Sequence, residues 1–445
     1  MVMEKRFSFV DVRAGEGLRV SLMASLLFLL IAANNLIKIL RDSIFLGHHS
    51  VSELPYLYIL VAFLAGAIIV FYTRYTIKLS TVRLILGTSV IILSNMIFFW
   101  VLLTYFNAGW SHYAFYIWSA IANVIAVAQS WTLANHIFTP EEGRRSFGIV
   151  TAGGTMGGVA ASLVVKGWIH LSIDSSHLLW IAAGLYIAAA ALVFWAERRL
   201  KEKISDRELR VAETTEKGQV TRIGELIAGS PYLKTIAVII LVSVIVSTLI
   251  DFQLKTSAKQ AYTSTRALAS FFSTYYGWLS VATFFVQVVL TGKALNKFGL
   301  GPSLYLTPAI LLAGSLAIMI WPIIPVAVLI RMADATLRNS VHRSGMEIIY
   351  MALPARVVKA VKTFLDVVIE RVGDAAAGLT ILLVSSLSGN GYIARVHLVC
   401  IGLLFAWIFL IPTLRIGYAH AGRSSGLISP PVWPAGDSTK KTLDL

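Results

Sequence analysis

Lys359, Lys362, Asp366, Glu370 and Asp374 follow one another at intervals of three, four, four and four residues. On an α-helix that spacing places all five on one face. They belong to residues 353–378, LPARVVKAVKTFLDVVIERVGDAAAG, which run directly into the apolar stretch LTILLVSSL. A polar stripe that enters hydrocarbon must face protein or water, because facing lipid costs several kcal/mol per charge. The stripe is therefore expected to line a pathway or to pack against polar partners inside a helical bundle.

Three other apolar segments carry ionisable groups. Asn34, Lys38 and Arg41 share one helical face, with Asp42 a turn beyond Lys38. Asp251, Lys255 and Lys259 repeat every fourth residue, and Arg331, Asp334, Arg338 and His342 are spaced by three, four and four. Arg371 stands beside the five-residue stripe. Arginine offers a planar fork of donors and lysine a point charge, and both suit phosphate or carboxylate. The acids can hold those cations in place when no substrate is bound, or carry a proton. The substrate-binding set expected on this basis is Lys38, Arg41, Asp251, Lys255, Arg331 and Arg338. Gating or proton coupling is expected of Asp42, Asp334, Asp366, Glu370, Arg371 and Asp374. Plainer roles compete with these. Arg41 and Asp251 suit an outer-gate salt bridge, Asp334 suits neutralisation of Arg331 or Arg338, and Lys359 and Lys362 suit an interface with anionic lipid. His112 and His170 fall at helix ends and are expected at the interface. No His, Asp and Glu cluster has metal spacing, and the single cysteine, Cys400, excludes an internal disulfide. Neither a metal, a cofactor nor enzymatic chemistry is expected.

Such residues need a membrane bundle to hold them. The 445-residue chain is 57% hydrophobic and 14% charged, with a mean hydropathy of +0.75. Apolar stretches of about 20 residues recur along it, the pattern of a polytopic all-α membrane protein. Twelve spans are expected, at 18–40, 54–75, 83–106, 111–138, 146–172, 177–196, 233–255, 268–293, 300–321, 323–349, 360–388 and 393–415. The first is too long for the core of a cleavable signal peptide. Arg74, Lys78 and Arg83 follow the second span, Arg144 and Arg145 the fourth, and Lys293 and Lys297 the eighth; Lys5, Arg6, Arg13 and Arg19 mark the N-terminal segment. This bias places both termini in the cytoplasm and accounts for the formal charge of +15 without a nucleic-acid partner. The expected organisation is a cytoplasmic segment 1–17, a six-helix bundle 18–196, a charged cytoplasmic linker 197–231, a second six-helix bundle 232–415 and a disordered cytoplasmic tail 416–445.

The two halves echo each other. Arg41 and Asp251 are 210 residues apart and Pro140 and Pro354 are 214 apart. PYLYILVAFLAGAIIVFYTR resembles STYYGWLSVATFFVQVVLTGK, and FTPEEGRRSFGIVTAGG resembles LPARVVKAVKTFLDVVIERVG. Two parallel six-helix repeats around a cytoplasmic loop are the plan of major-facilitator transporters. In AGGTMGGVAAS, Gly153 precedes Gly157 by four residues and Gly154 precedes Gly158 by four, a pattern for close helix packing. No Gly-Lys-Ser/Thr comes after it, so it is not a nucleotide-hydrolysing loop.

Taken in order, these motifs resemble the ATP/ADP translocase family of plastids and intracellular bacteria. LRDSIFL is similar to that family's first-helix motif and puts Arg41 at its functional lysine. LIDFQLKTSAK puts Asp251 at the acidic residue of the seventh helix, SWTLANHIFT matches the end of the fourth, and VKAVKTFLDVV with RVGDAAAG matches the eleventh. Two positions depart. The family's glycine-flanked lysine falls at Asp374, with the charge reversed, and the acid of the fourth helix falls near Ser119. The resemblance implies a secondary transporter in a bacterial cytoplasmic membrane, moving an anionic, phosphorylated or nucleotide-like metabolite by alternating access, with antiport as one form. ATP and ADP are among the candidate substrates. Two other readings stand beside it: proton-coupled transport of another organic anion or zwitterion, and a transporter-like module that moves nothing. The expected partners are this small-molecule anion and membrane lipids, and a monomer suffices.

Overall fold

The computed structural model describes residues 16–76, 81–106, 108–171, 174–213, 220–286, 300–353, 355–388 and 391–424. The basic residues Lys5, Arg6, Arg13, Lys78, Lys293 and Lys297, the linker residues 214–219 and the tail from residue 425 lie outside this range. The described residues hold helices and short connections, and no strand. In hydrocarbon every backbone N–H and C=O must be satisfied within its own segment, so apolar runs of this length fold as helices. Nine of the helices among the described residues are long and apolar enough to cross a membrane.

The helices are α1 (Gly17–His48), α2 (Leu54–Thr76), α3 (Thr81–Val101), α4 (Gly109–Ile137), α5 (Pro140–His170), α6 (Leu178–Glu213), α7 (Val220–Gly229), α8 (Pro231–Ala261), α9 (Thr265–Phe285), α10 (Leu300–Ile320), α11 (Ile324–Leu337), α12 (Arg343–Tyr350), α13 (Ala355–Phe364), α14 (Glu370–Ser388) and α15 (Tyr392–Ser424). Several outrun their apolar cores. Helix α1 continues past the expected residue 40 to His48, α6 carries the charged linker sequence as far as Glu213, and α15 carries the expected tail to Ser424. Each of the twelve expected spans falls largely on helix, and the eighth ends at Phe285 within the described residues. The start of α5 is set locally. The Thr139 hydroxyl accepts from the Glu142 N–H while the Glu142 carboxylate accepts from the Thr139 N–H, and Pro140 occupies the first turn.

The chain forms two compact units. The first comprises Met1–His49, Ala67–Glu216 and Tyr262–Val281, and the second comprises Ser50–Gly66, Lys217–Ala261 and Ala282–Leu445. Each unit takes a short segment from the other half of the sequence: α9 joins the first unit, and the start of α2 joins the second.

In the first unit α1 is the central helix, packed against α5, α6 and α4. Its approach to α5 depends on absent side chains. A Cβ at Gly153 would sit 2.4 Å from the Ala24 carbonyl oxygen, and one at Gly157 would sit 2.3 Å from that of Phe28. Here the four-residue glycine spacing lets two backbones touch, as the sequence pattern implies. In the second unit α8 has the matching place, packed against α15, α14 and α11. Among the described residues, π-helical turns interrupt this unit's helices at Arg338–His342, between α11 and α12, and at Leu365–Ile369, between α13 and α14. Such turns insert one residue into the helical repeat and re-aim the side chains beyond them.

Candidate functional site

Helix α1 delivers three charged groups to one point of the first unit. Asp42 is fully buried, with 0% of its side chain exposed, and Arg41 is 12% exposed. The Arg41 guanidinium donates from Nε to Asp42 Oδ1 at 2.9 Å and lies 4.5 Å from the ring centroid of Tyr116 on α4. The Tyr276 hydroxyl, from α9, donates to the other carboxylate oxygen of Asp42 at 2.7 Å. Lys38 Nζ stands 4.4 Å from the centroid of the same tyrosine ring. One turn earlier Asn34 Oδ1 accepts from the Tyr186 hydroxyl at 2.7 Å. The result is two cations held against two aromatic faces, with one buried carboxylate fixing the guanidinium.

The second unit answers with a network. Asp251 on α8 pairs with Lys255 one turn on at 2.8 Å and with Arg331 on α11 at 3.2 Å. The Tyr58 hydroxyl, from α2, donates to Asp251 Oδ2 at 3.2 Å. Arg331 also pairs with Asp334 and donates to the Ser247 hydroxyl at 3.0 Å, while Ser247 donates to Asp334 at 2.6 Å. Asp334 is thus in ion-pair contact with Arg331. Arg338 turns instead to the Ser243 backbone carbonyl.

The two clusters are related by a charge-swapped correspondence. The same shift of 213 residues carries Lys38 onto Asp251 and Asp42 onto Lys255. In each cluster a tyrosine from the second helix of the other sequence half donates to the acid, Tyr276 to Asp42 and Tyr58 to Asp251. Its ring faces the lysine, at 4.4 Å for Lys38 and 5.4 Å for Lys255.

Further along α8 and α11 the second unit encloses a cavity of about 240 Å³. Arg338, His342, Arg343, Asp366 and Glu370 line it, so both signs of charge face the space. A π-helical turn at Leu365–Ile369 interrupts the helix that carries the stripe, and Asp366 within it and Glu370 just beyond it both line the cavity. Lys362 pairs with Glu347 of α12 at 2.6 Å, Asp366 accepts from Tyr350 at 3.2 Å, and Asp374 accepts from Thr248 of α8 at 2.9 Å. Arg371 pairs with Asp374 at 2.9 Å and stands 3.7 Å from Glu370. The side chain of Lys359 lies outside the described residues. Among the described residues no His, Cys, Asp and Glu group is arranged to hold a metal ion.

The family model described as TLC ATP/ADP transporter matches residues 92–418. The chain belongs to the TLC ATP/ADP transporter family. The model's description is that of a family of transport proteins. Relatives in the family include ADP,ATP carrier protein 1, chloroplastic, of Arabidopsis thaliana, 22% identical over 220 residues, which are 47% of this chain and 35% of that protein. ADP,ATP carrier protein 1 of Chlamydia muridarum is 19% identical over 219 residues, 46% of this chain and 41% of that protein. The chain thus spans well under half the length of the curated relatives it matches. Among solved structures, a POT family transporter in complex with 5-aminolevulinic acid aligns with a TM-score of 0.60 at 11% identity, over 88% of this chain and 96% of that one. A D-xylose–proton symporter aligns with a TM-score of 0.59 at 13% identity, over the same shares. At these identities the likeness is one of fold, and the fold is the major-facilitator-like all-α bundle that the repeat suggested.

Four tyrosines contact these charged groups in a way that the charge pattern does not reveal: Tyr58, Tyr116, Tyr276 and Tyr350. The aligned segments PYLY and STYYG hold the signal for two of them, since both place a tyrosine in the second helix of a repeat. A cluster of His48, His49 and His112, with His49 Nε2 3.1 Å from His112 Nδ1, has no signature in the spacing either, because two of its members sit at the end of α1 and one at the start of α4.

Proposed function

We propose that the chain transports a nucleotide-like, phosphorylated anion by alternating access, with exchange of one such anion for another as its mode. The observation that carries this reading is the pairing of Lys38 and Arg41 against the rings of Tyr276 and Tyr116. The two cations supply charge for a nucleotide's phosphate oxygens, and the buried tyrosine rings hold them in position. The names of the relatives, ADP,ATP carriers, agree with this chemistry. In this reading Arg41 and Lys38 hold the phosphates. Asp42, Asp251, Lys255, Arg331 and Asp334 exchange partners as the transporter changes state, and Arg338 lines the path.

Substrate can drive such a change only by binding the two states differently. An arriving phosphate competes with Asp42 for Arg41 and so weakens a contact of the empty state. The membrane proposed is a bacterial cytoplasmic membrane, with both termini in the cytoplasm. The test is ligand-dependent unfolding of the purified protein: ATP and ADP raise the midpoint and adenosine does not, and Arg41→Ala abolishes the rise. No rise with any nucleotide in folded protein removes the reading.

A second reading rests on the cavity of the second unit, where Asp366 and Glu370 face Arg338, His342 and Arg343. Acids on a membrane pathway suit proton coupling, and balanced charge suits a zwitterion or another organic anion. It requires uptake driven by an inward proton gradient with no internal nucleotide.

A further inference from the structure

A second cavity, of about 200 Å³, lies in the first unit between α5 and α9. One wall is Val159, Ser162, Leu163 and Lys166, a single face of α5; the other is formed by α9, with Trp278 and Val281. Gly277 lets the helices meet at its edge, since a Cβ there would lie 3.0 Å from that of Ser162. Leu163 and Trp278 are 64% and 62% exposed. In a membrane-spanning segment, exposed apolar surface of this size faces lipid.

Lys166 falls within the membrane-crossing stretch of α5, four residues before its end. It makes no hydrogen bond or ion pair among the described residues, and neither does the indole N–H of Trp278. The three hydroxyls of the groove are already committed, Ser162 to the Gly158 carbonyl and Ser273 and Thr274 to that of Ser270. The donors left for an outside group are one ammonium near the end of an apolar trough and one indole deeper along it. A lysine one turn from the end of an apolar stretch, with no carboxylate beside it, reaches the headgroup layer, where an anion is its complement. Trp278, thirteen residues into α9, adds aromatic surface to the apolar part of the trough.

We propose that this groove binds an anionic phospholipid, its phosphate on Lys166 and an acyl chain along Val159, Leu163, Trp278 and Val281. Because α5 and α9 come from opposite halves of the sequence, an occupied groove ties the two helices together within the first unit. None of the groove's lining residues belongs to the Lys38–Arg41 cluster, and the proposal does not depend on what is transported.

The test uses the full chain in neutral detergent, with unfolding midpoints read while phosphatidylglycerol or phosphatidylcholine is added. Phosphatidylglycerol is expected to raise the midpoint more than phosphatidylcholine does. Lys166→Gln is expected to lose most of that difference, and Trp278→Leu to weaken the response to both lipids. Lys234→Gln, which removes an exposed lysine on α8, is expected to keep it. Lys166 is exposed, so its variant should fold, and an unchanged midpoint without lipid checks this. Equal effects of the two lipids, an undiminished response in Lys166→Gln, or equal losses in Lys166→Gln and Lys234→Gln would each overturn the proposal. The first outcome indicates unselective annular lipid, the second an anionic-lipid site elsewhere on the protein, and the third a diffuse effect of protein charge.

Discussion

The hydroxyl of Tyr276 donates to Asp42 at 2.7 Å, joining a helix from the second half of the sequence to the buried acid of α1. Asp42 is fully enclosed, so its lost water must be replaced by protein donors. Tyr276→Phe removes one of them and should cost about 1–3 kcal/mol of stability, the usual penalty for a buried polar group left short of a partner. Tyr58→Phe should cost less, because Asp251 keeps Lys255 and Arg331. Thermal unfolding of the two variants side by side checks the order.

Arg331 serves Asp251 and Asp334 together. Breaking a buried ion pair from one side costs about 3–5 kcal/mol, because the surviving charge has no compensation. Arg331→Met should therefore destabilise strongly, and adding Asp334→Asn should recover part of the loss. A double-mutant cycle on unfolding free energy measures the coupling, and strictly additive effects would refute the network.

Gly157 faces the Phe28 carbonyl oxygen so closely that a Cβ would stand 2.3 Å from it, whereas a Cβ at Gly167 on the same helix would meet open space. Gly157→Ala should lower expression and unfolding midpoint clearly, and Gly167→Ala should leave both nearly unchanged. Size-exclusion profiles and midpoints of the pair decide.

The cap of α5 has its own pH signature. Partial burial alone would raise the Glu142 carboxyl, but the Thr139 N–H and the Arg19 guanidinium outweigh it and lower its pKa from 4.5 to about 2. A depressed folded-state pKa gives stability that is complete above 4.5 and fades as pH falls toward about 2. Glu142→Gln should therefore be less stable than the parent above pH 4.5, and the difference should shrink across that window. A difference independent of pH would contradict the assigned role of the cap.

The helices are legible in the sequence because apolar runs and helical spacing are local properties. Lys38, Arg41 and Asp42 group together on the sequence alone because little more than one turn of a single helix brings them there. Their partners do not, since Tyr116 and Tyr276 are ordinary aromatic residues until α4 and α9 fold against α1. Even spacing reads the stripe from Lys359 to Asp374 as one face of a uniform helix, and the π turn at Leu365–Ile369 within it has no signature in that spacing. The exchange of α9 and the start of α2 between the compact units is likewise out of reach, because repeats of similar hydropathy do not say which neighbour a helix tip will choose.

The central claim, that Lys38 and Arg41 hold a nucleotide-like anion in exchange, is tested most directly by uptake of labelled ATP and ADP into proteoliposomes, with and without unlabelled nucleotide inside. The expected result is uptake that needs internal nucleotide, is lost in Arg41→Ala, and is impaired in Lys38→Gln. No uptake by folded wild-type protein under any internal loading, or undiminished uptake by Arg41→Ala, would contradict it.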